Sequence, residues 1–310
     1  MFDTIIIGGG PAGLTAAIYA GRRSLKTLVL TRDIGGQAAK TFDIENYPGI
    51  VHSTGPALAQ TMQKQAESFG TEIKYEEVKS IDKKDDGFVI KANSSEYIAK
   101  TIIIASGKKP RELGVTGEEE FKGRGVTYCA TCDAPFFRNK VVVVVGGGNS
   151  ALDATILCSE IAEKVYIVHR GILSGEQIMI DKVKEKKNVE IILQDEVETI
   201  IGEGVVNSIK LKSGREIETN GVIVEVGFAI DTSLFSELVK LNDKKQIITD
   251  LSQSTSVPGI FAAGDLTEAP YKQIVIAAGE GAKAALSAYD YIMKKEGKKG
   301  ILGDWQHAKK

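Results

Sequence analysis

Two cysteines, in the run Cys129-Ala130-Thr131-Cys132-Asp133, are the residues whose spacing most directly indicates chemistry. Two thiols separated by two residues can close a small disulfide ring, and the carboxyl group of Asp133 follows directly. Shortly afterwards the β-branched run Val141–Val145 leads into a glycine-rich turn. A dithiol close to a dinucleotide-binding turn predicts a centre that passes electrons between a nucleotide cofactor and a disulfide.

Zinc binding and two ordinary structural cysteines are the alternatives for this pair. A zinc site with this spacing needs a second pair of ligands. Cys158 is the only other cysteine, and the histidines lie far apart in the chain, at His52, His169 and His307. The spacing therefore favours a redox pair, and we expect no bound metal.

A glycine-rich turn near the N-terminus is the second feature that indicates chemistry. A short apolar strand over residues 3–7 runs into Gly8-Gly9-Gly10-Pro11-Ala12-Gly13, and a helix is predicted to follow. In this context the glycines allow a tight turn, close approach of the backbone to a pyrophosphate, and close packing of helix on strand. The pattern recurs at Gly146-Gly147-Gly148-Asn149-Ser150-Ala151, so the sequence predicts two nucleotide-binding turns.

Length and composition limit the class of protein. The chain has 310 residues, of which 43% are hydrophobic and 26% charged, enough for two globular domains with separate cores. A net charge of −2 gives no electrostatic reason to expect nucleic acid or an anionic membrane as partner. The chain starts directly in an apolar strand and its apolar runs are short, so we expect no signal peptide and no membrane span. A CxxC pair in such a chain is typical of a catalytic centre, and we expect a cytoplasmic location.

The order of predicted elements indicates an α/β fold in which one domain is inserted into another. We expect residues 1–110 to form the first part of a nucleotide-binding domain and residues 111–238 to form a second domain that carries both cysteines. Residues 239–310 are expected to return to the first domain, because an apolar helix from about Gln273 could cover its sheet. The only tryptophan, Trp305, follows this helix, either in a frayed tail or packed against a nucleotide surface.

The ordered set of motifs resembles that of the low-molecular-weight thioredoxin reductases. The matching segments are 8–13, Gly35-Gly36-Gln37, Glu45-Asn46-Tyr47-Pro48-Gly49, 129–133, 146–151, Gly264-Asp265 and Tyr271-Lys272-Gln273. The resemblance implies two Rossmann-like domains of the three-layer ββα type, the first holding FAD and the inserted one holding NADPH or NADH. It also implies a homodimer that reduces the disulfide of thioredoxin or a thioredoxin-like protein.

The resemblance assigns FAD to three parts of the first domain. Residues implied to hold the pyrophosphate are Gly8, Gly10, Pro11, Ala12 and Gly13. Residues implied to lie along the flavin and its ribityl chain are Gly35, Gly36, Gln37, Asn46, Gly264, Asp265, Lys272, Gln273 and Ile274. Asp265 would accept a hydrogen bond from a ribityl hydroxyl, although a turn or helix-cap role is the alternative. Asn46 could equally be a turn residue before Pro48.

For the dithiol, the resemblance assigns flavin contact to Cys132 and attack on the substrate disulfide to Cys129. Asp133 would supply or hold the proton needed when a thiolate leaves, which requires a carboxyl group with a raised pKa. The alternative for Asp133 is a solvated loop acid. Cys158 lies on a predicted apolar helix, and we expect it to be inert in the core.

The segment that would select the electron donor is where this chain departs from the family pattern. Residues implied to hold the nicotinamide nucleotide are Gly146, Gly148, Asn149, Ser150, Ala151, His169 and Arg170. Members of this family have His-Arg-Arg here and a further arginine four residues on, and these arginines bind the 2′-phosphate of NADPH. This chain has His169-Arg170-Gly171 and then Gly175, and Glu176 is too far along the chain to be counted as a replacement acid.

Since two charge-assisted contacts are missing, we expect poor preference for NADPH, with NADH comparable or better. A ferredoxin or a reduced flavin is the alternative donor. Two other interpretations are a flavoprotein that reduces a peroxidase partner and a flavin-binding sensor module without turnover. The first normally carries an additional N-terminal dithiol domain, whereas this chain starts directly at the first nucleotide-binding strand.

Overall fold

The computed structural model describes residues 1–40 and 44–300. Trp305 lies outside these residues. The chain divides into two compact units: residues 1–108 with the segment from Ile230 onward, and residues 109–229. The strands are β1 (Phe2–Gly9), β2 (Thr27–Ile34), β3 (Glu72–Lys74), β4 (Val78–Lys84), β5 (Gly87–Ala92), β6 (Glu96–Ile104), β7 (Lys109–Pro110), β8 (Val126–Thr127), β9 (Val141–Val145), β10 (Lys164–His169), β11 (Val189–Leu193), β12 (Val197–Glu203), β13 (Val205–Leu211), β14 (Glu216–Glu218), β15 (Gly221–Val224), β16 (Phe228–Ala229) and β17 (Ile260–Ala262). The α-helices are α1 (Pro11–Arg22), α2 (Gly55–Ser68), α3 (Ala130–Asp133), α4 (Asn149–Ser159), α5 (Gln177–Glu185) and α6 (Ile274–Lys295).

The first unit is organised around β1, a strand in the interior of its sheet. Within the described residues this sheet has seven strands, in the order β3-β2-β1-β6-β5-β4, with β17 also paired to β6. Strand β1 runs parallel to both of its neighbours, β2 and β6. Its consecutive isoleucines are buried on both faces of the sheet, since Ile5 and Ile7 belong to one core cluster and Ile6 to another. A continuous apolar run is therefore the expected pattern for this strand.

Helices α1 and α6 pack together on the Ile6 face of this sheet. Their contact is made largely by alanines, which are buried in the same cluster as Ile6. The added Cβ of a residue replacing Gly281 would overlap the carbonyl oxygen of Ala12, so the two helix backbones approach very closely. This close contact places the beginning of α1 beside the first half of α6.

The second unit has three layers. Residues 109–229, all of them described, contain a five-stranded sheet in the order β11-β10-β9-β15-β8 in which every pairing is parallel. On one face Val142 and Val144 of β9 pack with residues of α4 and α5. On the other face Val143 and Val145 pack with the antiparallel sheet β12-β13-β14. The expected ββα layering is thus confirmed for this unit.

Two chain connections join the units, between 108 and 109 and between 229 and 230. The antiparallel pairing of β7 with β16 brings the ends of the second unit side by side. The segment from Ile230 belongs to the first unit, because Phe235 and Val239 are buried in that unit's core. The boundary therefore comes earlier in the chain than residue 238, the position expected from the sequence. In the described part of the chain, no helix is long and apolar enough to cross a membrane.

Candidate functional site

The turn between β1 and α1 is tightly packed at two glycines and open at a third. A Cβ at Gly8, where φ is +116°, would overlap the carbonyl oxygen of Ala105, and one at Gly13 would overlap that of Gly8. At Gly10, the residue before α1, the only described atom within 4 Å of an added Cβ is the Gly35 carbonyl oxygen, at 4.0 Å. The open position lies at a helix N-terminus, where backbone N–H groups favour an anion. This shape fits a pyrophosphate group.

Two other glycine segments close around the same turn. The Gly35 N–H donates a hydrogen bond of 2.7 Å to the carbonyl oxygen of Gly9. An added Cβ at Gly36 would lie 3.6 Å from Gly10 Cα, and one at Gly264 would lie 3.0 Å from Ala12 Cβ. The structure therefore brings the segments 35–37 and 264–265 to the first nucleotide turn, as the sequence motifs suggested.

Lys108 links these segments and is a residue that the sequence analysis missed. Its ammonium group lies 2.9 Å from Asp265 Oδ2, and its carbonyl oxygen accepts a hydrogen bond of 3.3 Å from Gln37 Nε2. Both charged side chains are about four-fifths buried, with 21% and 20% of their surface exposed. One signal could have revealed Lys108: it follows the carboxyl end of β6, and nucleotides bind at that edge of such sheets.

The start of α6 brings the remaining predicted flavin residues together. Asn46 Nδ2 donates a hydrogen bond of 3.3 Å to Gln273 Oε1, and Ile274 is the first residue of the helix. Lys272 donates a hydrogen bond of 2.8 Å to the Thr267 carbonyl oxygen. Burial lowers the pKa of Lys272, although Asp265 acts in the opposite direction. Polar side chains, an open helix start and three glycine segments make the first unit a good fit for FAD.

In the second unit, Cys129 and Cys132 form a disulfide whose Cα atoms are 5.3 Å apart. Cys129, the residue directly before α3, is buried, whereas Cys132, within α3, is exposed. The backbone N–H of Cys132 donates to Cys129 Sγ over 3.3 Å. A thiolate at Cys129 would therefore already have a hydrogen-bond donor beside it, which favours the charged form.

Thr127 connects Asp133 to this disulfide. Its hydroxyl group donates a short hydrogen bond to Asp133 Oδ2 and accepts one of 3.1 Å from the Cys129 N–H. Asp133 is half-buried. The sequence did not single out Thr127, because its contact with Asp133 depends on the sharp turn of α3. The arrangement holds a carboxyl group close to the sulfur pair, where it could exchange a proton.

The third cysteine is remote from this chemistry. Cys158 is fully buried on α4, in the cluster that joins the helices to the parallel sheet. Burial raises the pKa of its thiol to about 12, so it is not a thiolate near neutral pH. Across residues 1–40 and 44–300, no group of three or more His, Cys, Asp or Glu side chains is placed to hold a metal ion.

The second glycine turn, between β9 and α4, repeats the shape of the first. A Cβ at Gly146 would overlap the carbonyl oxygen of Glu225, whereas no described atom lies within 4 Å of a Cβ added at Gly148. His169, at the end of β10, packs against Gly147 of this turn. Burial, and then the charge of Arg170, lower the pKa of His169. The turn itself therefore has the shape that a dinucleotide needs.

The loop between β10 and α5 folds back onto this turn. The Ser174 N–H donates to the Gly147 carbonyl oxygen over 2.7 Å, and the Glu176 N–H donates to Asn149 Oδ1 over 2.7 Å. In return, Asn149 Nδ2 donates to Glu176 Oε1 over 3.2 Å. The loop therefore places the carboxylate of Glu176 beside the first residue of α4, although the two residues are far apart in the sequence. The turn has the shape of a nucleotide site, and a carboxylate lies beside the start of its helix.

Comparisons with known proteins agree with these features. The family model described as pyridine nucleotide-disulphide oxidoreductase matches residues 2–281. A thioredoxin reductase of Listeria innocua is 42% identical over 300 residues, which cover 94% of each chain. The crystal structure of Lactococcus lactis thioredoxin reductase superposes with a TM-score of 0.89 at 37% identity, covering 95% of this chain and 100% of that one.

A thioredoxin reductase named for another electron donor is also similar in structure. The ferredoxin-flavin thioredoxin reductase of Clostridium acetobutylicum matches with a TM-score of 0.54 at 34% identity, covering 95% of this chain and 98% of that one. All of these matches extend over both units. The chain therefore belongs to the pyridine nucleotide-disulphide oxidoreductases and, within them, to the thioredoxin reductases, which are FAD-dependent disulfide reductases.

Proposed function

We propose that this chain passes two electrons from FAD through the Cys129–Cys132 disulfide to the disulfide of thioredoxin or a thioredoxin-like protein. The observation that carries the proposal is the cysteine pair itself, with one exposed residue and a carboxyl group held beside it by Thr127. A structural disulfide needs neither an exposed partner nor an acid tied to its turn. The exposed residue is Cys132, whereas the resemblance assigns attack on the substrate to the buried Cys129, so Cys129 must become accessible before it can react with another protein.

The FAD site is assigned to the first unit. Gly10, Pro11 and Ala12 form the open helix start that would take the pyrophosphate. Asp265 would accept a hydrogen bond from a ribityl hydroxyl group. The ion pair with Lys108 would hold the Asp265 carboxylate in place. Asn46 and Gln273, which are hydrogen-bonded to each other, would face the ring system. When bound, FAD supplies the electron pair that reduces the disulfide.

Once reduced, the two cysteines carry out a thiol–disulfide exchange. The Cys129 thiolate attacks one sulfur of the substrate disulfide, and the other substrate sulfur leaves with the electron pair and takes up a proton. Asp133, which Thr127 holds by a hydrogen bond, would exchange that proton. Cys132 then attacks the mixed disulfide, which releases the second substrate thiol and restores the Cys129–Cys132 bond.

The roles of the two cysteines can be tested by trapping. With Cys132→Ser, the substrate should remain bound to Cys129 as a mixed disulfide, because the attacking second thiol is missing. With Cys129→Ser, no such adduct should form. Mass spectrometry after mixing each reduced variant with an oxidised thioredoxin reports the result. An adduct formed only by the Cys129→Ser variant would reverse the assignment.

The donor is proposed to be a nicotinamide nucleotide with poor preference for NADPH over NADH. Of the arginines that would bind the 2′-phosphate, only Arg170 is present. A ferredoxin or reduced flavin is the second candidate, favoured by the Glu176 carboxylate at the second turn and by the similarity to the Clostridium acetobutylicum enzyme. Rapid mixing of the oxidised protein with NADPH, NADH and reduced ferredoxin, following flavin absorbance, separates these donors.

Assembly and location belong to the same proposal. The resemblance to thioredoxin reductases supports a homodimer and a cytoplasmic location. Sedimentation of the FAD-loaded protein tests the first of these. A monomer at all concentrations would remove the dimer from the proposal without affecting the disulfide chemistry.

A further inference from the structure

The carboxylate of Glu176 lies beside the start of α4 in the second unit. It accepts a hydrogen bond from the side-chain amide of Asn149, the first residue of α4. The residue before it, Gly148, is the open position of the turn. In nucleotide-binding turns of this kind the pyrophosphate lies at this helix start. An acid fixed there opposes the approach of any phosphate group.

The backbone fixes Glu176 in this place. The Glu176 N–H donates to the same Asn149 side chain, so the two residues are joined by reciprocal hydrogen bonds. Ser174 N–H is bonded to Gly147 of the turn. Between them, Gly175 lies so close to α4 that an added Cβ would be 2.6 Å from Asn149 Oδ1 and would overlap the Leu152 side chain. The loop therefore depends on glycine at 175 in order to lie against the turn.

Among the described residues, the structure shows no ion pair between Arg170 and Glu176. Lys212 first, and Arg170 as well, lower the pKa of a different acid, Glu196. The Asn149 amide carries no net charge. The second turn thus has a carboxylate beside its helix start, although its glycines retain the shape of a nucleotide site.

We propose that Glu176 is a specificity residue that weakens binding of every dinucleotide at the second turn by repelling the pyrophosphate. This inference deepens the donor part of the proposed function and rests on the assignment of the second turn as the nucleotide site. Since the pyrophosphate is common to NADH and NADPH, Glu176 lowers the affinity for both nucleotides by a similar factor. Choice between the two nucleotides is left to Arg170. An electron donor that does not use this turn gains from the exclusion.

The test compares Glu176→Gln with wild type and with Glu163→Gln, in protein saturated with FAD so that the first site is filled. Glu163 is an exposed acid in the same unit, directly before β10 and therefore at the opposite edge of the sheet. The ligands are ADP, which contains the pyrophosphate, and adenosine, which does not. Calorimetric titration measures each dissociation constant without any electron transfer.

We expect Glu176→Gln to tighten ADP binding about fivefold at low salt and to change adenosine binding less than about twofold. The gain should shrink as salt is raised, because the repulsion is screened. Glu163→Gln should change neither constant. ADP affinity unchanged by Glu176→Gln, an equal gain for adenosine, an equal effect of Glu163→Gln, or no ADP binding to any of the proteins would overturn the inference. Thioredoxin reduction by photoreduced protein tests the proposed function separately, since it needs no nucleotide.

Discussion

At the scale of single residues, the account depends on a chain of hydrogen bonds around the disulfide. Thr127 donates to Asp133 and accepts from the Cys129 N–H, so one hydroxyl group fixes the acid relative to the sulfur pair. Asp133 is half-buried, so its side chain is only partly exposed to solvent. This geometry is suited to a group that exchanges a proton with a leaving thiolate.

Asp133→Asn should slow disulfide exchange with thioredoxin about a hundredfold, because the amide cannot exchange the proton. Thr127→Val should cause a smaller loss, since the carboxyl group remains but is no longer held. Stopped-flow measurement of thiol release by the reduced protein gives both rates. FAD content and the Cys129–Cys132 disulfide should be retained in each variant. Equal rates in wild type and Asp133→Asn would show that Asp133 is a solvated loop acid that takes no part in the exchange.

Cys158→Ser is expected to keep disulfide reductase activity within about twofold of wild type. Its thiol is buried and its pKa is raised to about 12, so it supplies no thiolate for exchange. A loss of some stability is expected, because a hydroxyl group replaces a well-packed sulfur in the core. Activity assays with thioredoxin, together with urea unfolding, separate the two effects. Loss of activity in a stable Cys158→Ser protein would show that the redox pair is incompletely assigned.

At the scale of elements, the glycines of each strand–turn–helix unit divide into packing positions and an open position. Gly8 and Gly13 are required because another backbone lies against them, whereas Gly10 borders empty space. The same division separates Gly146 from Gly148 in the second turn. Substitution of a packing glycine should therefore lower stability, whereas substitution of an open glycine should weaken only the binding of the ligand.

Gly10→Ala and Gly13→Ala therefore form a matched pair. Gly10→Ala should leave the unfolding of the FAD-free protein unchanged within about 0.5 kcal/mol and weaken FAD binding at least about tenfold. Gly13→Ala should destabilise the FAD-free protein by about 1–3 kcal/mol, because its Cβ overlaps the Gly8 backbone. Urea unfolding and FAD titration measure the two effects. Normal FAD affinity in Gly10→Ala would argue against a pyrophosphate at this position.

The loop between β10 and α5 offers a second comparison of two glycines. A Cβ at Gly171 meets only the His169 ring, at 3.7 Å or more, whereas one at Gly175 would clash with α4. Gly171→Arg should therefore be tolerated, and Gly175→Arg should destabilise the protein by about 1–3 kcal/mol. Neither should give tight binding of NADPH, because the Glu176 carboxylate remains beside the turn. Urea unfolding and NADPH titration measure these outcomes, and a tight NADPH complex of Gly175→Arg with normal stability would contradict them.

At the scale of the whole molecule, the fold follows from local patterns, while the finer parts of the site do not. The run Val141–Val145 and the two glycine turns predict parallel strands and nucleotide sites, because their signals lie within a few residues. Lys108, Thr127 and Glu176 act through partners distant in sequence or through a sharp local turn, so residue type alone could not reveal them. The boundary at Ile230 likewise depends on packing of Phe235 into the first unit.

Both units are needed for the central claim, since the FAD cradle lies in one and the disulfide in the other. The most direct measurement is anaerobic mixing of the photoreduced, FAD-loaded protein with an oxidised thioredoxin, following flavin absorbance and free thiols together. The account predicts that reoxidation of the flavin accompanies the appearance of thioredoxin thiols, and that Cys129→Ser and Cys132→Ser retain FAD but show neither change. A flavin that stays reduced in the wild-type protein, or reoxidation that persists in both variants, would contradict it.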